Sequence, residues 1–148
     1  MGLPVDEKQF EFWAMRRRGT ANITIANLLG ISRQAVSKAL HAADGKIESA
    51  LRDMAQANQI AIGKINVAHG ILVGRSIPLN VPVIIFISEK HGTQVWYEHT
   101  GDCGSCTRYT GCTELIWDYA GELGIRIQKS ADPTKMANEL FAKVKELV

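Results

Sequence analysis

The stretch Ile23-Thr24-Ile25-Ala26-Asn27-Leu28-Leu29-Gly30-Ile31-Ser32-Arg33-Gln34-Ala35-Val36-Ser37-Lys38-Ala39-Leu40 decides how the first third of this chain is read. Its apolar spacing predicts a short helix over about residues 22–29, with Ile25, Leu28 and Leu29 inward. Gly30 ends that helix, because glycine takes the positive φ of a tight turn without steric cost. Ser32 is a good N-cap for the next helix, which begins Arg33-Gln34-Ala35-Val36. Val36, Ala39 and Leu40 form its inward side. Ala26 is small where the two helices approach, and Ile31 fills the corner. With Ser32 at the helix start, Arg33, Gln34, Ser37, Lys38 and His41 are left on the outer side.

The flanks extend this pattern. Phe10, Trp13 and Ala14 sit at i, i+3, i+4 and give residues 6–18 one apolar helical face, closed by Gly19. Phe12 and Met15 lie off that stripe and suggest a second contact surface. Asp44-Gly45 predicts a turn, followed by a further helix from about Lys46 to Gln59 with Ile47, Leu51 and Met54 on one side.

Two helices joined by a tight glycine turn resemble a helix-turn-helix. The wording Gly30-Ile-Ser-Arg-Gln-Ala-Val-Ser-Lys-Ala-Leu40, with the Trp13–Thr20 stretch before it, is similar to the sigma-region-4/LuxR-type regulators, and particularly to the archaeal Tfx-like regulators. The likeness covers roughly the first third of the chain. It implies a double-stranded DNA partner, read by the helix that carries Arg33 and Gln34. Arginine pairs bidentately with guanine and glutamine with adenine. The adjacent Arg16, Arg17 and Arg18 suit a helix C-terminus, and Arg17 and Arg18 are candidates for phosphate contact. The alternative is a three-helix module used for protein contacts. Readers of this kind span two half-sites about one DNA turn apart, so a homodimer is expected. Its interface would come from the Lys46–Gln59 helix or from the last helix.

Character changes near residue 62. Gly63–Val67, Gly70–Val73, Val81–Ser88 and Thr93–Tyr97 read as strands, with Pro78, Pro82 and His91-Gly92 as punctuation. Thr113–Leu123 suits a helix ended by Gly124, and Ile125–Ile127 a short strand. Asp132-Pro133 starts a last helix whose stripe is Met136, Leu140, Phe141, Val144 and Leu147. The expected architecture is therefore α+β. An N-terminal all-α helix-turn-helix domain, residues 1–60, precedes a small α/β sensor domain, residues 61–148, carrying a cysteine-rich loop at 99–112.

That loop holds the three cysteines of the chain. His99-Thr-Gly-Asp-Cys103-Gly-Ser-Cys106-Thr-Arg-Tyr-Thr-Gly-Cys112 reads H-x3-C-x2-C-x5-C. Cys103 and Cys106 flank a turn that Gly104-Ser105 permits, and Cys112 opens the following helix, whose positive end favours thiolate. Order and spacing are similar to the His/Cys3 motif that holds a [4Fe-4S] cluster in iron-only hydrogenases and in the large iron–sulfur subunit of respiratory complex I. The likeness is one of ligand types and spacing over this loop alone. It implies Cys103, Cys106, Cys112 and His99 as cluster ligands. Asp102 and the more distant His91 are other fourth-ligand candidates. A Cys3His zinc site fits the same donors, and a metal-free Cys103–Cys106 redox switch is a third option. Trp96, Tyr97, Tyr109 and Trp117 flank the loop and would limit solvent access to it.

Composition narrows the classes. Residues 1–60 hold eight Lys/Arg against six Asp/Glu, and residues 61–148 nine against nine, so charge alone does not point to DNA. No apolar run reaches the roughly 18 residues needed to cross a bilayer. Met1–Glu7 lacks the basic and apolar segments of a signal peptide, so a cytoplasmic protein is expected. An odd cysteine count in that setting favours metal or reactive thiols over disulfides. No Walker loop, G-x-G-x-x-G or G-x-S-x-G is present, so an enzyme is not expected. The reading is a DNA-binding regulator whose operator affinity is set by a [4Fe-4S] cluster sensing redox state, oxygen or iron. Its alternatives are a regulator with structural zinc and an unidentified ligand, and an iron–sulfur enzyme fused to a DNA-binding module.

Overall fold

Local signals start most of the elements. Asp6 caps the first helix by accepting from the Gln9 amide at 2.8 Å, Ser32 caps the third by accepting from Ala35, and Asp132 caps the last ahead of Pro133. The computed structural model describes residues 6–98, 109–130 and 132–148. Its elements are α1 (Glu7–Arg17), α2 (Asn22–Leu29), α3 (Arg33–Ala57), β1 (Ile60–Asn66), β2 (Ile71–Ser76), β3 (Pro82–Ser88), β4 (Gly92–Tyr97), α4 (Tyr109–Leu123) and α5 (Pro133–Lys145).

The four strands form one antiparallel meander in the order β1-β2-β3-β4. β1 carries a bulge between Ile62 and Lys64. β3 is central and covered on both faces, and its side chains alternate between two cores. Val83, Ile85 and Ile87 join Phe12, Trp13, Ile25, Val36, Leu40, Ile47 and Leu51 of the N-terminal helices. Ile84 and Phe86 join Ile116, Tyr119, Met136, Leu140, Phe141 and Val144 of α4 and α5. Period-2 geometry sends successive residues to opposite faces. A strand buried on both must be apolar along its covered length, as this one is from Val83 to Ile87.

Three expectations are corrected. The C-terminal part is not α/β: its strands are antiparallel and consecutive, with α4 and α5 following them, so the whole is a small α+β fold. The cysteine-rich loop assigned to that part lies, up to Arg108, outside the described residues. The Asp44-Gly45 turn is absent, and α3 runs unbroken for 25 residues. Ala43, Ile47 and Leu51 continue the buried stripe through it, and this burial outweighs the roughly 1 kcal/mol that a mid-helix glycine costs. Ile125–Ile127 forms no strand; Ile125 and Ile127 pack against the α4/α5 core from irregular backbone. Among the described residues, no helix is long and apolar enough to cross a membrane.

Trp13 fixes α1 to the sheet. It is wholly buried, stacks on Phe10 with ring centroids 5.6 Å apart, and donates from Nε1 to the Val67 carbonyl at 3.1 Å. Gly70 makes room for it. Its φ is +70°, and a Cβ there would lie 2.7 Å from the Trp13 ring. Gly70→Ala is expected to lower stability by about 2–3 kcal/mol, from left-handed backbone strain plus the clash. Urea unfolding followed by tryptophan fluorescence measures it.

Candidate nucleic-acid interface and the cysteine-bearing helix

The turn between α2 and α3 is built as its residues demand. Gly30 has φ +65°, and its amide and that of Ile31 both bond to the Ala26 carbonyl. Ser32 then accepts from the Ala35 amide at 3.1 Å, which fixes where α3 begins. Val36, Leu40 and Ala43 bury the inner side of α3. Arg33, Gln34, Ser37, Lys38 and His41 are all exposed, as is Ser32. A shallow depression of about 480 Å³ is lined by Asn22, Arg33, Gln34 and Ser37. The N-terminal ends of α2 and α3 therefore border one polar surface.

Two details of α2 differ from expectation. Ile25 and Ala26 are its buried residues, whereas Leu28 is 67% exposed and Leu29 39%. Ile31 is also exposed. The eight-residue helix presents one narrow stripe to α3, and its last turn stays in solvent.

Each residue of the arginine run is engaged by carboxylates of this chain. Arg16 makes a bidentate pair with Asp44, at 3.0 and 2.5 Å, that ties α1 to α3. Arg17 has a fully buried side chain. Its Nη1 donates to the Ile87 carbonyl at 2.8 Å and the His69 carbonyl at 3.4 Å. Its Nη2 donates to Glu89 at 3.2 Å and Glu122 at 3.4 Å. The guanidinium also lies 4.6 Å from the centroid of the Trp13 ring. Arg17, expected as a candidate for phosphate contact, is thus enclosed within the protein in this structure. Arg18 is half exposed and paired with Glu89 at 2.5 Å.

Of the four proposed cluster ligands, Cys112 is described; His99, Cys103 and Cys106 lie outside the described residues, as does Asp102. Cys112 sits in the first turn of α4 with its side chain partly exposed. His91 is engaged otherwise: its Nε2 pairs with Asp118 Oδ2 at 2.8 Å. That bond, and the neighbouring Lys90 ammonium, hold the Asp118 carboxyl below its usual range against the opposing effect of burial. Among the described residues, no group of three His, Cys, Asp or Glu forms a metal site. Trp96 packs on Phe141 with ring centroids 5.3 Å apart, Tyr97 donates to Asn58, and Trp117 is half exposed. The Tyr109 side chain is outside the described set.

A polar cluster that sequence reasoning missed joins these parts. The Glu122 carboxylate accepts from Ser88 Oγ at 2.7 Å, from the Glu89 amide and from Arg17. Ser88 Oγ in turn accepts from the His91 amide. The cluster borders an open cleft of about 590 Å³. The carboxylates there are paired with the surrounding Arg17, Arg18, Lys90 and His91. No local signal marks it, because Arg17 and Glu122 are 105 positions apart.

His69 lies beside this cluster, and burial, then the Arg17 and Arg16 charges, push its pKa below the ordinary 6.5. The unfolded chain therefore takes up a proton near pH 6.5 that the folded chain resists. The His69 contribution is intact above that pH and is lost as pH falls below it. Urea midpoints should fall between pH 7 and pH 5, and His69→Gln should flatten that fall. No protein-family model, curated protein or solved structure matches the chain.

Proposed function

We propose that this chain is a DNA-binding transcription regulator, with α2 and α3 acting as a helix-turn-helix and α3 entering the major groove. The observation that carries the reading is the row of exposed polar side chains from the N-cap Ser32 to His41, over the first three turns of α3, behind a tight glycine turn. Those residue types suit base edges and phosphates. The likeness of residues 23–40 to the Tfx-like regulators supports the same assignment. Arg33 and Gln34 read bases, Ser37, Lys38 and His41 support them, and Arg18 reaches phosphate only by leaving Glu89. The regulator acts as a homodimer in the cytoplasm, one protomer per half-site.

The signal is assigned to a [4Fe-4S] cluster held by Cys103, Cys106, Cys112 and His99. What supports this is the ligand spacing and the place of Cys112 in the first turn of α4, where a thiolate faces the positive end of the helix. Such a cluster supplies a redox- and iron-dependent constraint on the start of α4. It controls DNA affinity only if it stabilises one conformer more than another.

Protein purified without oxygen is expected to be brown and to carry about four iron and four sulfide per chain. A duplex selected from a random-sequence pool then serves as the operator. Arg33→Ala should weaken that duplex by about 1–3 kcal/mol with iron content unchanged. Cys106→Ser should lose the iron and change duplex affinity. A colourless parent with one zinc, or a Cys106→Ser variant that binds DNA as the parent does in every redox state, would sink the sensor assignment.

A further inference from the structure

α1 and α4 lie on opposite faces of the sheet: α1 packs with Ile85 and Ile87, α4 with Ile84 and Phe86. At the β3–β4 turn, Arg17 of α1 extends its fork past the end of the sheet. One nitrogen is held by the Ile87 carbonyl of β3, and the other meets Glu122 in the last turn of α4. Glu122 is itself fixed by Ser88 Oγ and the Glu89 amide. Cys112 lies ten residues earlier on α4, about 15 Å along one helix.

We propose that the Arg17–Glu122 pair, seated on Ser88 and Glu89, is the joint through which the position of α4 is transmitted to the DNA-reading helices. This rests on reading the cysteines as cluster ligands and α3 as the DNA reader. The physical basis is the cost of a buried charge. If α4 shifts, Glu122 leaves, and a guanidinium with no solvent access keeps Glu89 as its one remaining carboxylate. A buried charge deprived of a partner is strongly unfavourable, so α1 must move with α4 or the side chain must find water. The first response repositions α1, which shares its core with α2 and α3. The joint also holds buried polar atoms without a hydrogen-bond partner among the described residues, Arg17 Nε and Tyr119 Oη. Unsatisfied groups raise the energy of the observed arrangement and narrow its gap to a second one.

Arg16–Asp44 provides the control. It is also an arginine–carboxylate pair of α1, but it closes onto α3 and never reaches α4. The experiment measures, for each full-length protein, affinity for the selected duplex with the cluster loaded and after its removal. In the parent the two affinities should differ by about tenfold or more, and in Glu122→Gln by less than about twofold, with iron content retained. Asp44→Asn should lose stability yet keep the parental ratio. Ser88→Ala, which frees one oxygen of Glu122, should give an intermediate ratio and serves if Glu122→Gln does not fold. A parental ratio in both Glu122→Gln and Ser88→Ala, or an equal loss in Asp44→Asn, overturns the joint while leaving the regulator reading intact. A parent whose ratio is one overturns both.

Discussion

A guanidinium sealed from water is the constraint around which this structure is arranged. Removing a charge from solvent costs several kcal/mol, and the surroundings must offset it. Arg17 gains two carbonyls, two carboxylates and the face of Trp13. Those partners come from α1, the β2 approach at His69, the end of β3, the β3–β4 turn and α4. Each of these segments is therefore held to the others at one point. The alternative is a buried charge without its partners.

The apolar packing is consistent with this arrangement. Trp13 wedges α1 against the sheet and needs the bare backbone of Gly70 to do so. The N-terminal helices share their core with one face of the sheet. α4 and α5 cover the other, where Phe86 stacks on Tyr119 with ring centroids 4.1 Å apart. Two layers of helix around a four-stranded meander leave β3 with no wet face. A perturbation on either side thus meets a close-packed interior that transmits displacement and does not absorb it.

Much of the secondary structure was legible because it rests on neighbours in sequence. Gly30, Ser32 and the Asp132-Pro133 pair act within a few residues, and α2 begins and ends as its spacing predicts. The misreadings came where burial overruled local preference. Asp44-Gly45 reads as a turn in isolation, yet sits inside α3 because its neighbours Ala43 and Ile47 are needed in the core. Ile125 and Ile127 have strand character but no strand beside them to pair with. For the candidate DNA surface, the exposed positions of α3 followed from its periodicity alone.

Sequence by itself determined the helix caps, the glycine turn, the outward face of α3 and the run of β3, since each depends on spacing within one element. It could not assign the arginines. Arg16, Arg17 and Arg18 are chemically identical and adjacent, but Arg16 meets Asp44, Arg17 meets Glu89 and Glu122 from a fully buried position, and Arg18 meets Glu89 with its side chain half exposed. Only the tertiary structure decided which of them was buried. Helical rotation turns each toward a different wall, and the acceptors on those walls arrive from positions as far as 105 residues away.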